Sequence, residues 1–290
     1  MKTHIRSIKP IHIIGNCKIP GIVSCINPYV GCEYGCPYCY ARCVRRFTDH
    51  EWDAEWGSYV DIKVNAAELL PADLRSKVKA GSTVLVGSVT DPYQPLEEKH
   101  KITRSILQRL AAAAPSLERP FRLSILTKSD LVLRDLDLLK KLPDVTVGFS
   151  IAWTDEEALK VFEPNCPSIP RRLAALEKLK KAGIPTYAFI APILPGVTEL
   201  STVFAALTGK VDSVFGETFN TRCGTLKDTC ELAVQYDWYR GRTFADDLRD
   251  PSYWNMIRRE FQRTAVKCGI EVEGFFCHHR AAGTKERGEL

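Results

Sequence analysis

An α/β fold, a partial (β/α)6 barrel followed by a C-terminal helical extension, is predicted by three observations. Short apolar runs rich in β-branched and aromatic residues alternate with amphipathic runs from about residue 63 to residue 216. The repeat of roughly 25–40 residues is that of parallel strands joined by crossover helices. Six such units fit before about Glu217, short of the eight that close a complete barrel.

The elements follow in order. A strand at 21–26 leads directly into a cysteine-rich loop, and further strands are expected at 83–86, 122–126, 146–151, 186–190 and 211–215. Between them, Ile102, Ile106 and Leu110 recur every fourth residue along one helix face. Ser129 or Asp130 can cap a leucine-rich helix running to Leu142, just before Pro143. Ser168 can cap another, with Pro170 in its first turn, Leu173, Leu176 and Leu179 as its apolar stripe, and Gly183 and Pro185 as stop signals.

After Glu217 the pattern changes, and residues 218–243 read as polar and irregular. Pro251 then opens a long helix with Trp254, Ile257, Phe261 and Ala265 on one face, ending near Gly269. A last strand at 270–273 precedes Phe275-Phe276-Cys277-His278-His279-Arg280, and the final ten residues are expected to be disordered. Residues 1–217 are thus expected to form the barrel domain with its lead-in strand. Residues 218–290 are expected to form an extension packed on it.

Composition bounds the function. Of 290 residues, 45% are apolar and 26% charged, the balance of a soluble globular chain with a sizeable core. A net charge of +5 permits an anionic partner such as nucleic acid without requiring one. The group Arg42, Arg45 and Arg46 and the pairs Arg171–Arg172 and Arg258–Arg259 serve phosphate contact or a solvated helix face equally well. No run approaches the ~20 apolar residues needed to cross a bilayer, so no membrane association is expected. The N-terminus leads into no apolar signal segment, which predicts a cytoplasmic protein. In that reducing compartment eleven cysteines bind metal or stay free.

Cys32, Cys36 and Cys39 fall within eight residues, in the run Asn27-Pro28-Tyr29-Val30-Gly31-Cys32-Glu33-Tyr34-Gly35-Cys36-Pro37-Tyr38-Cys39-Tyr40. Three chemistries suit this loop. Cys43 can complete a four-cysteine zinc site, or it can close an electron-transfer cluster. Alternatively the three thiolates hold three corners of a [4Fe–4S] cube and leave the fourth iron open to a ligand. Gly31 and Gly35 allow the backbone to fold tightly around such a cube. Of the remaining cysteines, Cys277-His278-His279, with Cys230 and Cys268, matches no auxiliary-cluster spacing. Trp52, Trp56 and Tyr59 offer rings for stacking a base, for core packing or for a lid.

The C-x3-C-x2-C spacing, with an aromatic residue before the last cysteine, resembles the signature of the radical S-adenosylmethionine (SAM) enzymes. The resemblance extends to the spore photoproduct lyase-related branch, whose members are often described as DNA repair photolyase-like. It is carried by Asn27–Arg42, the run Gly87-Ser88-Val89-Thr90-Asp91-Pro92-Tyr93-Gln94-Pro95-Leu96-Glu97, and Ser124-Ile125-Leu126-Thr127-Lys128-Ser129. Val147-Gly148-Phe149-Ser150, Glu163-Pro164 and Ala191-Pro192-Ile193-Leu194-Pro195-Gly196 also match. The resemblance implies one [4Fe–4S] cluster on Cys32, Cys36 and Cys39, with SAM as cofactor or cosubstrate. It implies a reductant protein of flavodoxin or ferredoxin type. The implied reaction is reductive cleavage of SAM to a 5′-deoxyadenosyl radical, which takes a hydrogen atom from a substrate.

That substrate is a DNA lesion in a lyase-type repair on this analogy; a peptide or a small molecule is the alternative. By the same resemblance Tyr38, Tyr40, Thr90, Lys128 and Ser150 contact SAM, with Lys128 suited to its carboxylate. Tyr40, Asp91 and Tyr93 are candidates for contact with the substrate, and Arg171 or Arg172 for an anion. One departure stands out. The branch carries, at the end of its second barrel strand, a cysteine that returns a hydrogen atom to product, and Ser88 stands there instead. An alcohol O–H is too strong to donate readily, which leaves Cys17, Cys25, Cys43, Cys166 or Cys223 as substitutes.

Overall fold

The computed structural model describes residues 3–48, 50, 54–114, 120–221, 224–235 and 244–278, with 44–47 by backbone alone. Trp52, Cys223, His279, Arg280, the side chains of Arg45 and Arg46, and the C-terminal ten residues lie outside this description. So does all of 236–243 within the stretch expected to be irregular.

Two sheets organise the chain. The smaller has strand order β1 (His4–Ile8), β5 (Tyr59–Lys63), β4 (Tyr29–Gly31). The larger has eight strands. It begins with β2 (Ile14–Asn16) and β3 (Ser24–Ile26), then runs through β6 (Thr83–Val86), β7 (Arg122–Thr127), β8 (Val145–Ser150), β9 (Thr186–Ile193) and β10 (Ser213–Thr218) to β11 (Glu271–Phe276). Every neighbouring pair from β3 to β11 is parallel, and β2 adds antiparallel at one edge. The sheet does not close on itself, which is the partial barrel expected from six repeating units.

Crossover helices follow the strands: α1 (Ala66–Lys77), α2 (Leu96–His100), α3 (Ile102–Ala113), α4 (Leu136–Leu139), α5 (Glu156–Phe162), α6 (Ile169–Lys181) and α7 (Leu200–Leu207). Ile102, Ile106 and Leu110 are buried on α3, and Leu176 and Leu179 on α6, as their spacing predicts. Ser168 occupies the N-cap of α6 without making a side-chain cap bond, so the start of that helix rests on Pro170 in its first turn.

The helix expected from Ser129 to Leu142 is broken. Ser129 accepts from the Leu131 N–H at 3.3 Å, but Asp130–Asp135 winds as a 3₁₀ segment before α4. Asp135 supplies the reason: it is fully buried and accepts from the Tyr93 hydroxyl at 3.2 Å, from Arg104 at 2.6 Å and from Arg134 at 2.9 Å. Turning this carboxylate inward favours the tighter winding.

Within the stretch expected to be irregular, α8 (Leu226–Gln235) forms; α9 (Phe244–Arg249) follows it, and α10 (Pro251–Cys268) is the long helix expected to open at Pro251. Asp250 caps α10 by accepting from the Ser252 N–H at 2.8 Å, and Gly269 ends it at φ +64°. The extension is not only helical, because β11 pairs with β10 as a seventh parallel strand, Glu217 lying opposite Phe276. Among the described residues no helix is long and apolar enough to cross a membrane.

The barrel interior tolerates no added volume at Gly148. A Cβ there would meet Tyr187 ring carbons at 2.1 and 2.2 Å. The ring is tethered, since its hydroxyl is 3.0 Å from Ser124 Oγ and 3.4 Å from the Ile125 carbonyl. Gly148→Ala is therefore expected to lower the unfolding free energy by about 2–3 kcal/mol, read from the urea midpoint.

Candidate active site at the C-terminal ends of the barrel strands

The cysteine loop leaves β4 through Gly31 at φ +85°, where a Cβ would lie 2.3 Å from the Tyr59 carbonyl oxygen. Only glycine fits that approach. The Gly31 carbonyl accepts from Thr90 Oγ1 at 2.6 Å and from Gln94 Nε2 at 3.4 Å. Gln94 Oε1 accepts from the Glu33 N–H at 2.9 Å, and the Glu33 carboxylate accepts from the Leu96 N–H at 2.6 Å. Four bonds thus clamp the loop to the segment that follows β6.

Cys32, Cys36 and Cys39 line one cavity, partly open to solvent. The opposite wall is built from strand ends: Ser88 after β6, Lys128 after β7, Ser150 on β8, and Glu217 with Thr218 on β10. Sites in open α/β barrels form at this end of the sheet. No other cysteine among the described residues lines the cavity, Cys43 included. Nor do any three His, Cys, Asp or Glu side chains among them close on a single ion position. Three thiols on one cavity with no fourth cysteine beside them suit a polynuclear cluster with an open corner better than a lone zinc ion.

Burial pushes the Cys32 and Cys39 thiols up, Cys39 to about 12, whereas hydrogen bonding to Cys166, then Lys128, lowers Cys36 against its own burial. A ligand set of this kind releases protons as it takes up metal.

Beneath the loop lies a buried charge cluster. Glu163 is 1% exposed and receives the Tyr38 hydroxyl. Arg172 Nη2 approaches it at 2.5 Å and Lys128 Nζ at 3.8 Å. Burial alone would raise the Glu163 pKa, but Arg172 and then Lys128 overcome it and hold the carboxyl below its ordinary range. Burial likewise works against the Lys128 charge, yet Glu163, followed by the Cys36 and Cys166 sulfurs, holds its pKa above the ordinary value. Two cations face one carboxylate, so the cluster presents a net positive charge. Lys128 carries it to the cavity wall, over the Tyr38 ring at 5.8 Å from the centroid.

Of the residues expected at the cofactor, Tyr38, Tyr40, Thr90, Lys128 and Ser150 all line this cavity. The Thr90 hydroxyl is spent on the cysteine loop, and the Ser150 carbonyl accepts from Arg172 Nη1 at 3.1 Å. Tyr40 is 36% exposed and donates to the Ser88 carbonyl.

The expected substrate contacts fare differently. Tyr93 is fully buried, bonded to Asp135 and absent from the cavity wall, so it is corrected to a core residue. Asp91 reaches the wall and is held by three donors. It accepts from the Tyr93 N–H at 2.8 Å, from Thr127 Oγ1 at 2.6 Å and from the Lys128 N–H at 2.7 Å. It fixes the backbone that carries Lys128. Arg171 pairs with Asp130 at 2.7 Å on the surface, while Arg172 turns inward. Arg42 is held by Asp228 at 2.7 Å.

Three features escape sequence reading. Glu163 anchors the charge cluster, yet only its Glu-Pro dipeptide hints at it. Asn27 holds Ser88, donating to its Oγ at 3.0 Å. His278 Nε2 lies 2.8 Å from the Glu217 carboxylate, a pairing made by the alignment of β11 with β10.

Comparison with known proteins agrees with this geometry. In solved structures, spore photoproduct lyase complexed with dinucleoside spore photoproduct superposes with a TM-score of 0.68 at 16% identity, over 93% of this chain and 82% of that one. An uncharacterised protein of Methanocaldococcus jannaschii is 40% identical over 202 residues, 70% of this chain and 72% of that protein. Another from Mycobacterium tuberculosis is 32% identical over 250 residues, 80% and 71% of the respective chains. The model of the radical SAM superfamily matches residues 26–203. With its three-thiol loop at the open end of a partial barrel, the chain belongs to the radical SAM superfamily, whose members use a [4Fe–4S] cluster and S-adenosylmethionine.

Proposed function

We propose that this radical SAM enzyme abstracts hydrogen from a nucleobase in DNA, in a reaction of the lyase or repair type. The observation that carries the radical reading is the pairing, in one cavity, of the Cys32–Cys36–Cys39 loop with a half-buried cationic Lys128. When bound, the cluster and SAM supply a primary carbon radical able to take a hydrogen atom from a substrate C–H bond.

Each residue then has a defined task. Cys32, Cys36 and Cys39 hold three irons, and Lys128 receives the SAM carboxylate in a charge-assisted bond. Tyr38 and Glu163 hold the Lys128 side chain against the wall. Thr90 and Gln94 keep the cysteine loop in place, and Tyr40 and Ser150 flank the adenosyl group. The nucleobase reading is supported by the likeness of fold to spore photoproduct lyase, by the net positive charge, and by the partly exposed Tyr40 ring on which a flat base can stack. Ser88 supports a route in which hydrogen is not returned from the end of β6. Eleven cysteines and an iron–sulfur cofactor support a reducing compartment such as the cytoplasm, and the radical chemistry calls for a flavodoxin- or ferredoxin-like electron donor.

The test is anaerobic reconstitution followed by dithionite reduction with SAM and deuterium-labelled oligonucleotides. Label arriving in 5′-deoxyadenosine is the expected result. Label arriving only from peptides or metabolites would reject the nucleobase, and no 5′-deoxyadenosine from any substrate would reject the radical reading.

A further inference from the structure

Residues 163–166 run beside the cysteine loop and touch it at three positions. Glu163 takes the Tyr38 hydroxyl, Asn165 Nδ2 donates to the Tyr34 carbonyl at 3.4 Å, and the Cys166 sulfur lies 3.8 Å from the sulfur of Cys36. The segment is itself braced. The Cys166 N–H donates to the Glu163 carbonyl at 3.0 Å, and the Arg172 Nε donates to the Pro167 carbonyl at 2.9 Å. Cys166 does not line the cavity, so it meets Cys36 from behind the wall and not from the space a cluster would fill.

We propose that Cys166 is a positioning residue that donates its S–H to the Cys36 sulfur and thereby raises the reduction potential of the cluster. The inference rests on Cys36 being a cluster ligand. In the free chain either thiol can donate. Once Cys36 is an iron-bound thiolate it has no proton to give, and Cys166 becomes the donor. A hydrogen bond to a ligand sulfur draws negative charge off the cluster. The reduced state, which carries one more electron, gains more from that bond than the oxidised state does, so reduction becomes easier. Cys166 thus tunes the electron that starts the reaction without occupying the open iron.

EPR-monitored redox titration of the anaerobically reconstituted holoprotein tests this. Cys166→Ala is expected to keep its iron and sulfide content and to lower the ratio of reduced to oxidised cluster at a fixed potential about ten-fold, a shift of about 59 mV for one electron. Cys166→Ser keeps a donor of shorter reach and should fall between Ala and wild type. An unchanged potential in Cys166→Ala would overturn the inference. So would loss of cluster iron from that variant, because Cys166 would then be a ligand. Should Cys166→Ala fail to fold, Cys166→Val fills the same space without a donor and carries the same expectation. Wild-type protein with no four-iron cluster overturns the ligand assignment and this inference with it, and iron content measured before titration separates that outcome from the others.

Discussion

Lys128→Met is expected to leave the cluster intact and to weaken SAM binding about 10- to 100-fold. Lys128 brings the net positive charge of the Glu163 cluster to the cavity wall, and its side chain is only 16% exposed. A hydrogen bond to a charged group in such a setting contributes about 1.5–3 kcal/mol, and about 1.4 kcal/mol is ten-fold in affinity. Equilibrium dialysis of SAM against oxidised holoprotein reads the affinity, and 5′-deoxyadenosine release reads the consequence. Lys128→Arg keeps the charge and should recover part of both. Stability should change little, because Glu163 keeps Arg172 as its closer cation. Affinity equal to wild type in Lys128→Met would remove Lys128 from the carboxylate subsite. The raised pKa of Lys128 adds that SAM affinity should not fall through loss of the lysine charge as pH rises to about 9, below the ordinary lysine value.

The spacing of the cysteines and the alternation of apolar and amphipathic runs made the loop, the barrel and the Lys128 strand end legible in the sequence, because each is local. The strand expected at 211–215 runs instead over Ser213–Thr218, since pairing with β9 and β11 extends it and carries Glu217 into the cavity wall. The β11 pairing joins segments more than fifty residues apart and leaves no periodic trace. Tyr93 departs from expectation for a related reason. A tyrosine in a Pro-rich loop reads as exposed, but Asp135, 42 residues on, draws its hydroxyl into the core. Glu163 and Arg172 look like surface charges on helix flanks, and only the tertiary fold buries them against each other. Long-range ion pairs are the part of this site that local pattern cannot encode.

Glu163→Gln is expected to lower the unfolding free energy by about 3–5 kcal/mol, because it strands the buried Arg172 guanidinium and the half-buried Lys128 ammonium beside one neutral amide. Arg172 is fully buried, and its remaining partners are the carbonyls of Ser150 and Pro167, at 3.1 and 2.9 Å, which satisfy geometry but not charge. Against a typical total stability of about 5–15 kcal/mol this is a large fraction, readable as a shifted urea midpoint. The double variant Glu163→Gln/Arg172→Met removes the stranded guanidinium, so its loss should fall well short of the sum of the single losses. Strict additivity would show that the two side chains are not coupled.

The pH dependence carries a matching signature. Because the folded Glu163 carboxyl lies below its ordinary 4.5, its stabilisation is whole above that pH. It is lost as pH falls from 4.5 through the lower folded value, where protonation strands the same two cations. Glu163→Gln cannot titrate, so its stability should decline less steeply than that of wild type below pH 4.5. The two curves should converge in acid and diverge towards neutrality, and curves that stayed parallel throughout would mean that Glu163 bears no special charge burden in the fold.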